Sequence, residues 1–140
     1  MKTVFIFLFL LSVLSCSNSD KKLQNKVVGI TDGDTFTLLT DENKQIKIRL
    51  HGIDCPEKAQ DFGTVARQKL SDLIFNEPLR IEKKDVDRYG RTVALVYKNG
   101  VCINEEMLKA GLAWHYKEYD KNPAWDVLEE TARKNKRGLW

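Results

Sequence analysis

The chain has 140 residues, with 23 Lys and Arg against 20 Asp and Glu, so its formal net charge of +3 permits a polyanionic partner without arguing for one. His51 and His115 are the only histidines and lie 64 positions apart, and neither sits at a zinc-like spacing from Cys55 or Cys102. A zinc site and a histidine-based active site are both disfavoured on that count.

The chain opens on a segment that reads as an address. Lys2 gives a short positive start, Val4 to Leu14 is an apolar run of eleven residues broken only by Ser12, and Val13-Leu14-Ser15-Cys16 closes it. Eleven helical residues span about half of a bilayer core, so residues 1–16 suit a signal-peptide core rather than a spanning helix. The pattern resembles a bacterial lipobox, with Val13 where leucine is commoner. Cys16 would then be lipidated and anchor the chain to the cell envelope; secretion with cleavage nearby is the alternative. Both readings take the chain out of the cytoplasm. Residues 17–25 are polar and without periodicity, as a flexible tether would be. The stretch 26–140, about 115 residues, is the size of one domain with one core.

From Val27 the pattern is strand-like: Val27 to Thr31, the turn Asp32-Gly33, then Asp34 to Leu39. Asp-Gly between two such runs is a hairpin signal, because glycine accepts positive φ. Gln45 to His51 alternates without a fault, with Ile46, Ile48 and Leu50 on one face and Lys47, Arg49 and His51 on the other. Thr64 to Asn76 carries Ala66, Leu70, Leu73 and Ile74 at helical spacing, with Pro78 as its stop. Leu79–Lys83 and Thr92–Tyr97 read as further strands, the second turning at Asn99-Gly100. A short helix is expected from an Asn104 cap to Gly111, burying Met107 and Leu108. A last helix starts at Asn122-Pro123, faces inward through Trp125, Leu128 and Ala132, and stops near Gly138. Arg133, Lys134, Lys136 and Arg137 suit the dipole at its end. Five strands followed mainly by helices indicate an α+β domain, a five-stranded OB-fold β-barrel with three α-helices.

Asp32-Gly33-Asp34-Thr35, the run from Arg49 to Glu57, and Asp87-Arg88-Tyr89-Gly90-Arg91 put carboxylates and arginines on strand ends and turns. Carboxylate oxygens suit a hard cation, arginines hold phosphate oxygens, and a remaining carboxylate can move a proton. That mixture points to metal-dependent phosphodiester chemistry on nucleic acid. Each residue also has a structural reading: Asp34 as a hairpin residue, Asp54 as an Asx-turn before Pro56, Arg49 as a sheet-surface charge, Arg91 as a strand-start arginine.

The same motifs, with Asn104-Glu105 and Gly111-Leu112-Ala113, resemble the staphylococcal nuclease (thermonuclease) family over about residues 26–140, in family order and at compatible spacing. The resemblance implies an OB-fold barrel with a Ca²⁺-dependent endonuclease site acting on single-stranded or denatured DNA and on RNA, leaving 3′-phosphate ends. By position it makes Arg49, Glu57 and Arg91 catalytic. Asp34 and Asp54 become carboxylate ligands of the metal, and Cys55 a ligand through its main-chain carbonyl. Asp32 is then a nearby acid or merely the turn former. Tyr89 is placed near the substrate groove. Tyr116, within Trp114-His115-Tyr116-Lys117-Glu118-Tyr119, is the chosen base platform, with Trp114 assigned to the core. The stretch from Glu57 to Phe62 is shorter than the corresponding loop of the founding nuclease and keeps only Lys58 of its lysines.

Cys55 and Cys102 are expected as free, partly buried thiols, with a disulfide as the alternative. The chain is expected to act as a monomer. A non-catalytic nucleic-acid-binding module on the same fold, and an envelope lipoprotein binding another ligand without metal, remain the competing functions.

Overall fold

A computed structural model describes residues 25–140; the proposed signal peptide, Cys16 and nearly all of the proposed tether lie outside the described residues. Eight strands and three helices follow in chain order among these residues. They are β1 (Lys26–Asp32), β2 (Thr35–Leu39), β3 (Gln45–Leu50), β4 (Ile53–Asp54), α1 (Gly63–Ile74), β5 (Arg80–Val86), β6 (Thr92–Lys98), β7 (Val101–Cys102), α2 (Ile103–Lys109), β8 (Trp114–His115) and α3 (Pro123–Lys134). The five long strands lie in the order β1-β2-β3-β6-β5, with β7 paired to β6. All their pairings are antiparallel except β3 with β6. This is the expected α+β, OB-type arrangement, supplemented by two-residue strands too short to be read from alternation.

The alternation of β3 does what its sequence implies. Ile48 and Leu50 are buried with Phe36, Leu38 and Val96, while Arg49 lies on the opposite face. Ala66, Leu70 and Ile74 bring α1 onto this core, and Met107 and Leu108 bring α2. Trp125 and Ala132 are the buried stripe of α3, with Leu128 partly buried beside them. The α3 start is as expected: Asn122 Oδ1 accepts the Ala124 N–H at 3.0 Å and Pro123 occupies the first turn.

Five expectations need correction. The β1–β2 turn comprises Gly33 and Asp34, not Asp32 and Gly33, since Asp32 pairs with Thr35. Gly33 does not take a positive φ. It is glycine because a Cβ there would lie 2.7 Å from Ala66 Cβ and 3.0 Å from Cys55 Cβ. Helix α1 ends at Ile74, before Pro78, because Asn76 turns the chain into the left-handed region at φ 59°. Asn104 does not cap α2, which begins after Cys102. Its fully buried amide accepts from Val96 N–H at 3.1 Å and donates to His51 O at 3.0 Å and Ala94 O at 3.2 Å. Trp114 is not core; it is exposed on β8, opposite Asp54. The expected end near Gly138 also moves, with α3 stopping at Lys134.

Candidate active site

The site is assembled at one end of the sheet's strands, where the β1–β2 turn, the end of β3, the loop after β4 and the β5–β6 turn meet. Asp34 leaves its turn pointing inward. Its Oδ2 accepts the Cys55 N–H at 2.8 Å and its Oδ1 accepts the Thr35 hydroxyl at 2.9 Å. The chain is tied at the same point by Leu50 N–H donating to Asp34 O at 2.8 Å. Thus the hairpin turn is bonded both to the end of β3 and to the loop after β4.

Arg49 lies between two carboxylates. Its Nη1 is 3.4 Å from Asp34 Oδ2 and its Nη2 is 3.0 Å from Asp54 Oδ1. Nη1 also donates to the carbonyls of Leu50 at 2.9 Å and Ile53 at 2.8 Å, which pins the guanidinium to the β3–β4 turn. The two carboxylates differ in setting, since the Asp34 side chain is 8% exposed and that of Asp54 54%. Burial pushes the Asp34 carboxyl above its ordinary value. The pull of Arg49 and the hydrogen bonds from Cys55 and Thr35 offset this only in part, and the like charge of Asp54 adds to it.

Arg91 is presented by the β5–β6 turn. Asp87 organises that turn by accepting the backbone N–H groups of Tyr89 at 2.9 Å and Arg91 at 3.0 Å on Oδ1, and Arg91 Nε at 2.7 Å on Oδ2. Burial alone would raise Asp87, but these bonds outweigh it and hold its carboxyl below the ordinary value. Arg91 Nη1 reaches Thr35 Oγ1 at 3.5 Å. The contacts therefore run without a break from Arg91 through Thr35 and Asp34 to Arg49 and Asp54.

A groove of about 710 Å³ opens beside this chain of contacts, lined among others by Arg49, Arg91, Tyr89, Tyr116, Tyr119 and Arg88. Tyr89 and Tyr116 both line it. Tyr119, three residues on, stands edge-to-face with Tyr116 at 4.8 Å between ring centroids. The spacing of two tyrosines on one turn was the available signal for it. Arg88 lies over the Tyr89 ring at 4.9 Å from its centroid, so cation and ring are offered side by side.

Asp34, Asp54, Cys55 and Glu57 do not line the groove. Asp32 closes the hairpin opposite Thr35, and its carboxylate makes no hydrogen bond or ion pair among the described residues. Glu57 is exposed on the loop after β4, and its carboxylate too is without a partner among the described residues. Cys55 is buried and, like Cys102, a free thiol. Burial, with the charge of Asp34, pushes the Cys55 thiol well above its ordinary value, which leaves it inert as a thiolate ligand.

Among the described residues, no group of three or more His, Cys, Asp and Glu side chains gathers as a metal cage. Asp34 and Asp54 supply a pair of hard oxygen donors. A cation taking them would complete its shell from main-chain carbonyls and water, a donor set that Ca²⁺ accepts and zinc does not favour.

The two histidines, 64 positions apart in the sequence, meet at Asp120, with His51 itself lining the groove. His51 Nε2 lies 3.3 Å from Asp120 Oδ2, and His115 Nε2 lies 3.0 Å from Asp120 Oδ1. His115 Nδ1 is 2.6 Å from Asp126 Oδ1. This network fastens the segment carrying Tyr116 and Tyr119 to the β3–β4 turn and to α3.

A family model described as staphylococcal nuclease homologue matches residues 47–140, taking in Arg49, Asp54, Glu57 and Arg91 but not the Asp34 hairpin. A Haemophilus influenzae protein described as an uncharacterized endonuclease is 45% identical over 133 residues, covering 95% of this chain and 74% of its own length. A micrococcal nuclease of Shigella flexneri is 40% identical over 129 residues, covering 84% of this chain and 73% of its own. An Escherichia coli O157:H7 protein described as an uncharacterized endonuclease is 39% identical over 119 residues, covering 84% and 77%. With the motifs in order on an OB-type sheet and these matches across most of its length, the chain belongs to the staphylococcal nuclease family and is a hydrolase of nucleic acid.

Proposed function

We propose that the protein is a Ca²⁺-dependent endonuclease that cleaves single-stranded or denatured DNA and RNA. The reading takes Arg49, Glu57 and Arg91 as catalytic groups, and Asp34, Asp54 and the Cys55 carbonyl as metal ligands. The observation that carries it is the continuous chain of contacts from Arg91 through Thr35 and Asp34 to Arg49 and Asp54, at the edge of an aromatic and basic groove. A bound Ca²⁺ would supply positive charge to a non-bridging phosphate oxygen and a place for water.

The protein's own groups supply the remainder. Arg49 spends both Nη1 donors on main-chain carbonyls and one Nη2 donor on Asp54, which leaves an Nη2 hydrogen and Nε for a phosphate oxygen. Arg91 is held by Asp87 through Nε and spends one Nη1 donor on a 3.5 Å contact to Thr35 Oγ1, which leaves Nη2 and the second Nη1 hydrogen for the equatorial oxygens as negative charge develops. Glu57 accepts the proton of the attacking water, a task for which its carboxylate, unpartnered among the described residues, is available. Tyr89, Tyr116 and Tyr119 offer ring faces to unstacked bases. Rupture of the bond to the 5′ oxygen, leaving 3′-phosphate ends, accords with the family.

The test is cleavage of heat-denatured DNA and of RNA by the purified protein lacking residues 1–16, in Ca²⁺ and then in excess EGTA, beside Glu57→Gln. Expected are cleavage abolished by EGTA, 3′-phosphate products, and a loss of about 100-fold or more in the variant. DNA binding without cleavage by folded wild type would make the protein a binding module instead.

Export and anchoring through Cys16 are proposed on the apolar run Val4–Leu14 and the cysteine that closes it. Labelled palmitate should enter the wild-type protein in cells and be absent from Cys16→Ala; equal labelling of both would sink the lipid anchor.

A further inference from the structure

We propose that Gln60 is the positioning residue for Glu57, an inference that rests on the reading of Glu57 as the proton acceptor. The Glu57 carboxylate has no hydrogen-bonding partner among the described residues, so what these residues fix is the point and direction from which its side chain leaves the main chain. That main chain is gripped from one side by a single residue. Gln60 Oε1 accepts the Glu57 N–H at 2.7 Å, and the Gln60 N–H donates to Glu57 O at 2.8 Å. The Gly63 N–H then donates to Gln60 O at 3.0 Å, passing the loop into α1.

The same loop closes so tightly that a Cβ on Gly63 would lie 1.9 Å from Glu57 O. Phe62, just before it, takes a left-handed φ of 63°, a conformation a phenylalanine adopts only when its surroundings require it. Peptide plane, carbonyl and amide of Glu57 are therefore fixed on both sides, and with them the Cα–Cβ vector. Glutamine has the reach for this: its amide oxygen returns three residues to a backbone N–H while its own N–H holds the carbonyl. Alanine keeps the second bond and loses the first. Gln60 itself is exposed, so its side chain contributes nothing to the core.

The experiment is a double-mutant cycle on the purified protein with denatured DNA and Ca²⁺, comparing wild type, Gln60→Ala, Glu57→Gln and the double variant, with thermal unfolding of each. Gln60→Ala should lower kcat about 10- to 100-fold, as a misplaced catalytic group does, and leave KM within about twofold. In the Glu57→Gln background the same substitution should cost nothing further, because the group being positioned is gone. An inactive Glu57→Gln beside a fully active Gln60→Ala would overturn the positioning role alone. Equal slowing by Gln60→Ala in both backgrounds would also overturn it, marking a general structural effect. A fully active Glu57→Gln would overturn the reading of Glu57, and this inference with it.

Discussion

Gly33 stands where three parts of the site touch, and its missing Cβ has a packing purpose rather than a conformational one. Ala66 of α1 and Cys55 of the loop after β4 both occupy the space a side chain would need. Gly33→Ala should push α1 and the Asp34 turn apart, costing about 1–3 kcal/mol, read by urea denaturation. It should also slow cleavage, because Asp34 would lose its line to Cys55 N–H; unchanged stability would show the contact to be soft. Asn104 gives the same lesson from inside the core. Local chemistry reads an asparagine ahead of an apolar run as a cap. Here the amide instead pairs with backbone groups of β6 and the β3–β4 turn, where an unpaired buried N–H or C=O would be costly. A one-dimensional pattern cannot separate these uses, because they differ only in what lies across the fold.

Among elements, β8 and the segment behind it have the largest consequence for so little regular structure. Two residues pair with β4, and the following turn presents Tyr116 and Tyr119 to the groove. What holds that turn is polar. Asp120 links both histidines, and burial tends to raise its carboxyl. The bond from Asn122 N–H, with the bond and charge of His115, outweighs burial and holds it below its ordinary value. A depressed acid contributes stability that is fully present above the unfolded value and is lost as pH falls through the folded one. Asp120→Asn should therefore destabilise the protein by about 1–3 kcal/mol at neutral pH, with the difference from wild type shrinking only as pH falls through the lowered folded-state value, below the ordinary carboxylate range. Chemical denaturation at several pH values measures it, and a gap independent of pH would refute the charge argument. No local pattern announces this network, since its members come from the β3–β4 turn, β8, the loop after it and α3.

At the scale of the whole molecule, the strand order β1-β2-β3-β6-β5 brings the end of β3 beside the start of β6 through the parallel pairing of Arg49 with Val93. That pairing is why Arg49 and Arg91, far apart in the chain, face one groove. Much of this was legible beforehand. The alternation from Gln45 to His51 placed Arg49 off the core face, and the spacing of Ala66, Leu70 and Ile74 placed α1 against the sheet, because both signals arise from local periodicity and the burial of apolar side chains. The motif series, set beside a known family, supplied the candidate carboxylates and arginines. The contact chain through Thr35, the exposure of Trp114, the two-handed grip of Gln60 on Glu57 and the meeting of His51 with His115 were decided by tertiary structure. Each depends on groups brought together by strand pairing or loop closure, and their energies depend on the distance and burial that folding alone creates.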